Sequence, residues 1–294
     1  MRNPVSKIKR VGLTVNPDKV GARQLIRRTV GLIQRENRVV LMDSATANLV
    51  DPGLSSAPNV AALAEQSDIL IVFGGDGTML GAARAVAGLK TPILGVNVGG
   101  LGFLTALPSQ RLAKELHNLW LGNFEIEDRL LIECTGNAGG DELFQVALND
   151  FVISRGATSR LIELEVKVNG ETLTNYRCDG LIVSSPTGST AYSLAAGGAI
   201  VSPEASVLTI TPICPHTLSN RSVIISSDAV VEVKVLSARL EIFLTADGQV
   251  QLPLFFGNTV QIRKSSRKIR LLRLPGSTFF NTLRQKLHWS GSHL

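Results

Sequence analysis

Residues 69–84 read ILIVFGGDGTMLGAAR and contain the clearest signal for the fold of the first part of the chain. An apolar run, 69–73, leads directly into the glycine-rich stretch 74–78, and a segment with helical spacing of its apolar residues follows. A buried strand, a tight turn and a helix in this order form half of a βαβ unit. The sequence therefore predicts a parallel sheet that is covered by helices around this turn.

The segments on either side repeat the same alternation of strand and helix patterns. The predicted strands cover 11–15, 38–42, 69–73 and 92–96, and the predicted helices cover 19–36, 61–66, 79–87 and 109–121. We therefore expect an α/β N-terminal domain with a doubly wound, mostly parallel sheet over residues 1–124.

After residue 125 the apolar pattern changes from a helical period to alternation. Residues 164–168 and 231–235 alternate between apolar and charged side chains, and Asn169-Gly170 and Asp247-Gly248 are signals for tight hairpin turns. This pattern predicts a C-terminal all-β domain, similar to a β-sandwich, over residues 125–270. A tail with a helical pattern at 279–288 completes the chain.

Composition and charge are those of a globular protein, with 44% hydrophobic and 18% charged residues among 294. The net charge of +6 and the pI of about 9.5 fit a nucleic acid partner, a small polyanionic ligand or only a solvated surface. The densest basic cluster, 263–273, is interleaved with apolar residues. It predicts a half-exposed strand, with a phosphate-contacting patch as the alternative.

Cysteine usage and the N-terminus indicate the compartment. The three cysteines are widely spaced and contain no CxxC pair, so neither a disulfide framework nor a zinc site is expected. The basic N-terminus lacks the apolar core of a signal peptide, and no run approaches 18 apolar residues. We therefore expect a cytoplasmic protein without a membrane partner.

The glycine-rich stretch 74–78 matches neither of the two common phosphate-binding fingerprints. It has no lysine at the helix start, as a Walker A motif requires, and no third glycine, as the dinucleotide fingerprint requires. Gly74, Gly75 and Gly77 can adopt positive φ and let a ligand approach the backbone. The helix N-terminus suits a phosphate, and Thr78 adds a hydroxyl. Asp76 either caps the helix or handles a phosphoryl group, as a proton acceptor or a magnesium ligand.

The sequence GGDGT at 74–78 resembles the hallmark of the kinase superfamily that contains NAD kinases, diacylglycerol and sphingosine kinases and, more distantly, phosphofructokinases. Other motifs resemble those of bacterial NAD kinases, most of all the proteobacterial type. They are GVNVGGLGFLT (95–105), ALND (147–150), DGLIVSSPTGSTAYS (179–193), PHTLS (215–219), DGQ (247–249) and FNTL (280–283). The similarity extends in order over nearly the whole chain.

NAD kinases transfer the terminal phosphoryl of ATP, or of a related donor, to the 2′-hydroxyl of the adenosine ribose of NAD, giving NADP. The resemblance implies that Asp76 accepts the proton of that hydroxyl. Gly74, Gly75, Gly77 and Thr78 would face the donor phosphates. A divalent cation such as Mg²⁺ would assist, but the sequence does not identify its ligands.

The resemblance also implies which residues bind NAD, how the tail runs and how the chain assembles. The implied NAD-binding residues are Asp76, Gly77, Asn149, Asp150, Arg160, Arg177, Asp179, Thr190, Ala191, Tyr192, Ser193, Leu194, Ala195 and Gln249. Tail residues 271–294 would return to the first domain. The protein would form a homo-oligomer, a tetramer or a dimer.

The residues alone leave simpler interpretations open at several of these positions. Asn149-Asp150 also fits a β-turn, and 186–190 fits a plain surface turn. Arg160 and Arg177 fit charges at strand edges, and Gln249 fits a hairpin residue. Two other functions also remain: a lipid or sphingoid kinase of the same superfamily, and a basic regulator that binds nucleotides or nucleic acid without turnover.

Overall fold

The structure is a computed structural model, and it describes residues 8–105, 107–138, 141–157, 159–217, 219 and 221–289. Leu218 of the PHTLS motif and the last five residues of the tail lie outside the described residues. The chain divides into two compact units, Met1–Asp128 with Ile269–Leu294 and Arg129–Lys268.

Eighteen strands and seven α-helices are described. The elements in the first part of the chain are β1 (Arg10–Val15), α1 (Ala22–Gln34), β2 (Val39–Asp43), α2 (Ser44–Val50), β3 (Ser55–Ala57), α3 (Val60–Gln66), β4 (Ile69–Gly74), α4 (Asp76–Ala85), β5 (Ile93–Asn97), β6 (Leu107–Pro108) and α5 (Leu112–Trp120). The strands that follow are β7 (Glu125–Ala138), β8 (Asp141–Ala147), β9 (Asp150–Arg155), β10 (Ile162–Val168), β11 (Glu171–Cys178) and β12 (Gly180–Ser184). The remaining elements are α6 (Tyr192–Ala195), β13 (Val207–Ile213), β14 (Val223–Ser226), β15 (Val231–Val235), β16 (Ile242–Ala246), β17 (Val250–Leu254), β18 (Thr259–Arg273) and α7 (Phe279–Lys286). Short 3₁₀ helices occupy Pro52–Leu54, Ser109–Arg111 and Thr187–Thr190.

The first unit contains a parallel sheet in the order β5-β4-β1-β2-β3. Leu13, Ile71 and other alternate strand residues share one core with Ile26 of α1 and Leu116 of α5. The opposite face carries α3 and α4, and a Cβ on Gly12 would lie 3.2 Å from Leu63 Cγ of α3. Helices on both faces explain why β4 is buried along its whole length. The predicted doubly wound α/β domain is confirmed.

The second unit is built from antiparallel strands. One sheet has the order β14-β13-β12-β9-β16-β17, and β11, β10, β15 and β18 pair in sequence in another. Ile153 of the first sheet and Leu164 and Val233 of the second share one hydrophobic core. Asn169 and Gly170, with φ of 53° and 84°, form the expected turn between β10 and β11. The predicted all-β domain is confirmed.

Several element boundaries differ from the sequence prediction. Helix α4 begins at Asp76 rather than at 79, and α1 begins at Ala22 rather than at 19, because Gly21 before it is left-handed with φ of 78°. The sequence pattern missed α2 and β3, which are too short to show a period. The basic stretch 263–273 lies in β18 and mixes exposed with buried residues, so the prediction of a half-exposed strand is confirmed.

Candidate active site

The GGDGT turn joins the end of β4 to the start of α4. Gly75 occupies the N-cap position of α4, and no side chain caps this helix. Asp76 is the first helical residue, so the interpretation of Asp76 as a cap is wrong. A carboxylate in the first turn of a helix is still favoured by the positive end of the helix dipole.

None of the three glycines of the turn is required by a positive φ, and close packing in the described structure requires Gly74 but not Gly75, since an added Cβ on Gly75 would have nothing within 4 Å. Gly74, Gly75 and Gly77 are not among the described residues with positive φ. A Cβ on Gly74 would lie 2.3 Å from Thr78 Oγ1, so a larger residue would push the first turn of α4 away from β4. Gly77 is exposed beside Asp76.

The Asp76 carboxylate contacts the second glycine-rich segment of the chain. Its Oδ2 accepts a hydrogen bond from Phe103 N at 2.8 Å, and its Oδ1 accepts one from Leu104 N at 3.0 Å. Thr105 donates to Oδ1 from both its amide and its hydroxyl, each at 3.3 Å. Asp76 therefore fixes the turn at 102–105, a contact that no local sequence pattern indicates because 27 to 29 residues separate the partners.

Asn97, at the end of β5, also holds the second glycine-rich segment through hydrogen bonds of its side chain. Its Nδ2 donates to Gly100 O at 2.5 Å and to Thr105 Oγ1 at 3.0 Å. Gly74 and Asn97 are register partners on β4 and β5, so both glycine-rich segments leave the same edge of the sheet. Ligands of open α/β sheets bind at this carboxyl edge.

In the second unit, Asn149 and Asp150 lie where the chain passes from β8 to β9. Leu148 and Asn149 form a bend, and Asp150 begins β9. The Asp247 carboxylate accepts hydrogen bonds from Leu148 N at 3.1 Å and from Asn149 N at 2.7 Å. Burial raises the pKa of the Asp150 carboxyl to about 7, and the nearby charge of Asp247 adds to the shift.

The PTGST stretch lies directly against this bend. Ser185 N donates to Asn149 O at 2.8 Å, and Ser185 Oγ donates to Leu148 O at 2.5 Å. A Cβ on Gly188 would lie only 2.1 Å from Asn149 O. Thr187, Gly188 and Ser189 are buried in a 3₁₀ helix, so the interpretation of 186–190 as a plain surface turn is wrong.

The segment 190–195 places its side chains in different environments. Tyr192 is 48% exposed, and Ala195 is also exposed. Thr190, Ala191 and Leu194 are half-buried. Ser193 is fully buried, and its hydroxyl lies 3.1 Å from Thr211 Oγ1. The hydroxyl of Ser193 is therefore used inside the protein.

The charged residues of the predicted site form separate pairs. Asp179 accepts a hydrogen bond from Arg155 Nε at 2.6 Å, a partner that the sequence analysis missed. Arg177 lies 3.4 Å from Glu163, and both side chains are more than half exposed. Arg160 is exposed. Gln249 is an exposed residue of the β16–β17 turn, with its amide donating to Ala246 O at 3.0 Å.

Two features are absent from the described part of the chain. Within it, no three or more His, Cys, Asp or Glu side chains are grouped as metal ligands. No helix among the described residues has the length and apolar character that crossing a membrane requires.

Family models match both parts of the chain. The model described as ATP-NAD kinase N-terminal domain matches residues 11–124, and that described as ATP-NAD kinase C-terminal domain matches residues 148–274. The NAD kinase of Desulforamulus reducens is 42% identical over 281 residues, which cover 94% of this chain and 96% of that protein. The NAD kinase of Magnetococcus marinus is 38% identical over 275 residues, covering 93% and 91% of the two chains.

Solved structures have the same fold. Yeast NADH kinase, crystallised with NADH, superimposes with a TM-score of 0.84 at 25% identity, covering 99% of this chain and 90% of that one. An NAD kinase from Archaeoglobus fulgidus in complex with ATP gives a TM-score of 0.75 at 24% identity, covering 96% of this chain and 100% of that one.

Proposed function

The chain belongs to the NAD kinase family, and from this premise we propose that it transfers the terminal phosphoryl group of ATP to the 2′-hydroxyl of the adenosine ribose of NAD, giving NADP. The main support is that relatives about 40% identical over nearly the whole chain are NAD kinases. A lipid kinase or a non-catalytic regulator has no comparable support.

Asp76 is the proposed proton acceptor. A carboxylate has about four lone-pair sites, two on each oxygen. In this structure Oδ1 accepts three hydrogen bonds from Leu104 and Thr105, whereas Oδ2 accepts one from Phe103. Oδ2 therefore keeps a site that can receive the proton of a sugar hydroxyl, while the amide donors hold the carboxylate in place. Such a general base contributes a factor of about 10²–10⁴ in rate.

The phosphate donor is proposed to bind at the GGDGT turn. Gly74, Gly75, Gly77 and Thr78 lie at the N-terminus of α4, where backbone N–H groups and the helix dipole favour a phosphate. The described residues hold no cluster of carboxylates to enclose a cation. A Mg²⁺ ion would therefore be held mainly by phosphate oxygens and water, as is usual for this ion.

The proposed dinucleotide-binding residues are those that the family resemblance implies. They are Asp76, Gly77, Asn149, Asp150, Arg160, Arg177, Asp179, Thr190, Ala191, Tyr192, Ser193, Leu194, Ala195 and Gln249. The exposed faces of Tyr192 and Gln249 are available to a ligand, whereas buried Ser193 would contribute its backbone. Arg160 and the exposed Arg177 would contact the phosphate-rich part of the ligand or the nicotinamide end.

The wider setting also belongs to the proposal. We place the protein in the cytoplasm, as a homo-oligomer, either a tetramer or a dimer. We assign residues 1–124 to a nucleotide-binding domain, 125–270 to an NAD-binding domain, and 271–294 to a tail that returns to the first domain.

The test is an assay of the purified protein with NAD, ATP and Mg²⁺, in which NADP is measured with an NADP-specific dehydrogenase. Asp76→Asn should bind NAD almost normally but lose at least about 100-fold in kcat, because the amide cannot accept the proton. Asp18→Asn, the same change at an exposed position of the same unit, is the matched control and should keep the wild-type rate.

Three results would contradict this proposal. A wild-type protein that forms no NADP but phosphorylates a lipid would be a lipid kinase. Tight nucleotide binding without any product would indicate a regulator. A near-normal kcat in Asp76→Asn would remove Asp76 from the chemistry.

A further inference from the structure

Asp247 stands outside the set of residues assigned to the ligand, yet it contacts the segment that carries Asn149 and Asp150. We propose that Asp247 is a positioning residue for dinucleotide binding, which holds the bend 148–150 in the shape that presents Asn149 and Asp150 to the ligand. The inference rests on the proposed function, because it assumes that these two residues bind NAD.

Asp247 and the bend 148–150 are joined by hydrogen bonds in both directions, although nearly a hundred residues separate them in the sequence. Asp247 Oδ2 accepts from Leu148 N at 3.1 Å, and Oδ1 accepts from Asn149 N at 2.7 Å and from Asp150 N at 3.4 Å. In return, Asp247 N donates to Asp150 O at 3.0 Å. Both carboxylate oxygens are therefore engaged with consecutive amides of one bend.

The bend needs such an acceptor because it connects two different sheets. Strand β8 pairs with β7, whereas β9 pairs with β12 and β16. Leu148 and Asn149 lie between the two ladders, and Leu148 is fully buried. Without Asp247 the buried amide of Leu148 would lose its described partner, which is a costly arrangement in a protein interior.

The turn that carries Asp247 is shaped for this contact. Asp247 and Gly248 have φ of 51° and 64°, and Ala246 pairs with Val250 across the turn. Asp is one of the few residues with a side chain that tolerates this left-handed conformation. Asp247 is 7% exposed and its carboxylate points back toward the start of β9, while Gln249 of the same turn is exposed.

Asp247 also affects the charge on Asp150. Asp150 is 4% exposed, and its partner across β12 is the uncharged Ser184. Burial raises the pKa of the Asp150 carboxyl, and Asp247, at the end of β16, is the charged group in the described structure that raises it further. Removing the charge of Asp247 should therefore let Asp150 ionise at lower pH.

The experiment measures kcat and the KM for NAD of the full chain between pH 5.5 and 8.5 for wild type, Asp247→Asn and Asp228→Asn. In Asp247→Asn an NH₂ group replaces one acceptor oxygen, so at least one amide of the bend loses its partner. We expect the KM for NAD to rise about tenfold or more while kcat changes less than about twofold. If the KM for NAD changes with pH as Asp150 ionises, the midpoint of that change should lie at a lower pH in Asp247→Asn than in the wild type.

Asp228→Asn is the matched control. It removes the same charge from a turn of the same unit, where the side chain is 81% exposed and pairs only with Lys264 in the described structure. Neither the KM nor its pH dependence should change. Asp247→Glu keeps the charge but displaces the oxygens, so it should raise the KM and leave the pH dependence in place. This variant also serves as the test if Asp247→Asn does not fold.

The outcomes separate this inference from the proposed function. Wild-type protein that forms no NADP refutes the proposed function itself. Active wild type together with an unchanged KM and an unchanged pH dependence in Asp247→Asn refutes the positioning role alone. A loss of kcat with the KM and the pH dependence unmoved would show that Asp247 only stabilises the fold, and would also refute it.

Discussion

Gly188→Ala tests the close contact between the PTGST stretch and the Asn149 bend. A Cβ at position 188 would lie 2.1 Å from Asn149 O, 2.5 Å from Asn149 C and 2.6 Å from Ser184 Oγ. Real Cβ contacts stay beyond 3.0 Å, so the two backbones must separate by about 1 Å. Backbone displaced by overpacking typically costs about 1–3 kcal/mol of stability.

The same displacement moves Asn149 relative to the 3₁₀ helix Thr187–Thr190. A shift of about 1 Å in a positioning element can lower the rate about 100-fold. We therefore expect Gly188→Ala to lower both the urea midpoint of unfolding and the kcat/KM for NAD. The two measurements are urea denaturation followed by circular dichroism and the coupled assay of NADP formation.

Gly31→Ala is the control for this prediction. Gly31 lies in α1 with nothing within 4 Å of an added Cβ, so alanine should stabilise the helix by about 0.5–1 kcal/mol and leave the rate unchanged. A Gly188→Ala protein with wild-type stability and wild-type kcat/KM would show that the contact does not constrain the bend, and would refute the reasoning.

Two further predictions concern Asp150 and Gly102. The pKa of the Asp150 carboxyl is raised from 3.8 to about 7, first by burial and then by Asp247, so the folded state keeps a proton that the unfolded chain releases between about pH 4 and 7. The free energy of unfolding of the wild type should therefore fall as pH rises through this window. Asp150→Asn should remove that fall, and its free energy of unfolding should exceed that of the wild type by at most about 4 kcal/mol above pH 7. An equal difference at pH 5 and pH 8 in urea titrations would contradict this prediction. For Gly102→Ala, the new Cβ would lie 2.1 Å from Asp76 Oδ1 and 2.4 Å from Thr105 Oγ1, so either these side chains or the turn at 102–105 must shift, which disturbs the hydrogen bonds that hold the Asp76 carboxylate. We expect a loss of about 1–3 kcal/mol in urea denaturation and a lower kcat, and an unchanged kcat would show that this turn does not orient Asp76.

The elements that the sequence predicted well have strong local signals. Strand β4 is a continuous apolar run, and the turn at Asn169-Gly170 requires two residues that tolerate positive φ. The sequence prediction begins helix α4 three residues too late, because its first turn contains Asp76 and Gly77 and has no apolar side chain to show a helical period. Helix α2 and strand β3 were missed because their seven and three residues contain too few periods.

The candidate site divides in the same way. The sequence identified Asp76 as unusual because a carboxylate stands in a glycine-rich turn, and the Asn149-Asp150 pair because two polar residues interrupt an apolar run. It did not identify what holds them. Arg155 beside Asp179, Thr105 beside Asp76 and Asp247 beside Asn149 are each separated from their partners by more than twenty residues.

Local sequence patterns were therefore sufficient for the fold class and the family, and they predict which side chains carry the chemistry, because apolar periodicity and motif spacing are properties of neighbouring residues. Three contacts are visible only in the folded chain: the amides of 103–105 hold Asp76, the Ser193 hydroxyl lies against Thr211, and Asp247 holds the bend at Asn149. Hydrogen-bond partners are chosen by distance in space, and sheet pairing brings together amides and carboxylates that the chain separates by up to about a hundred residues.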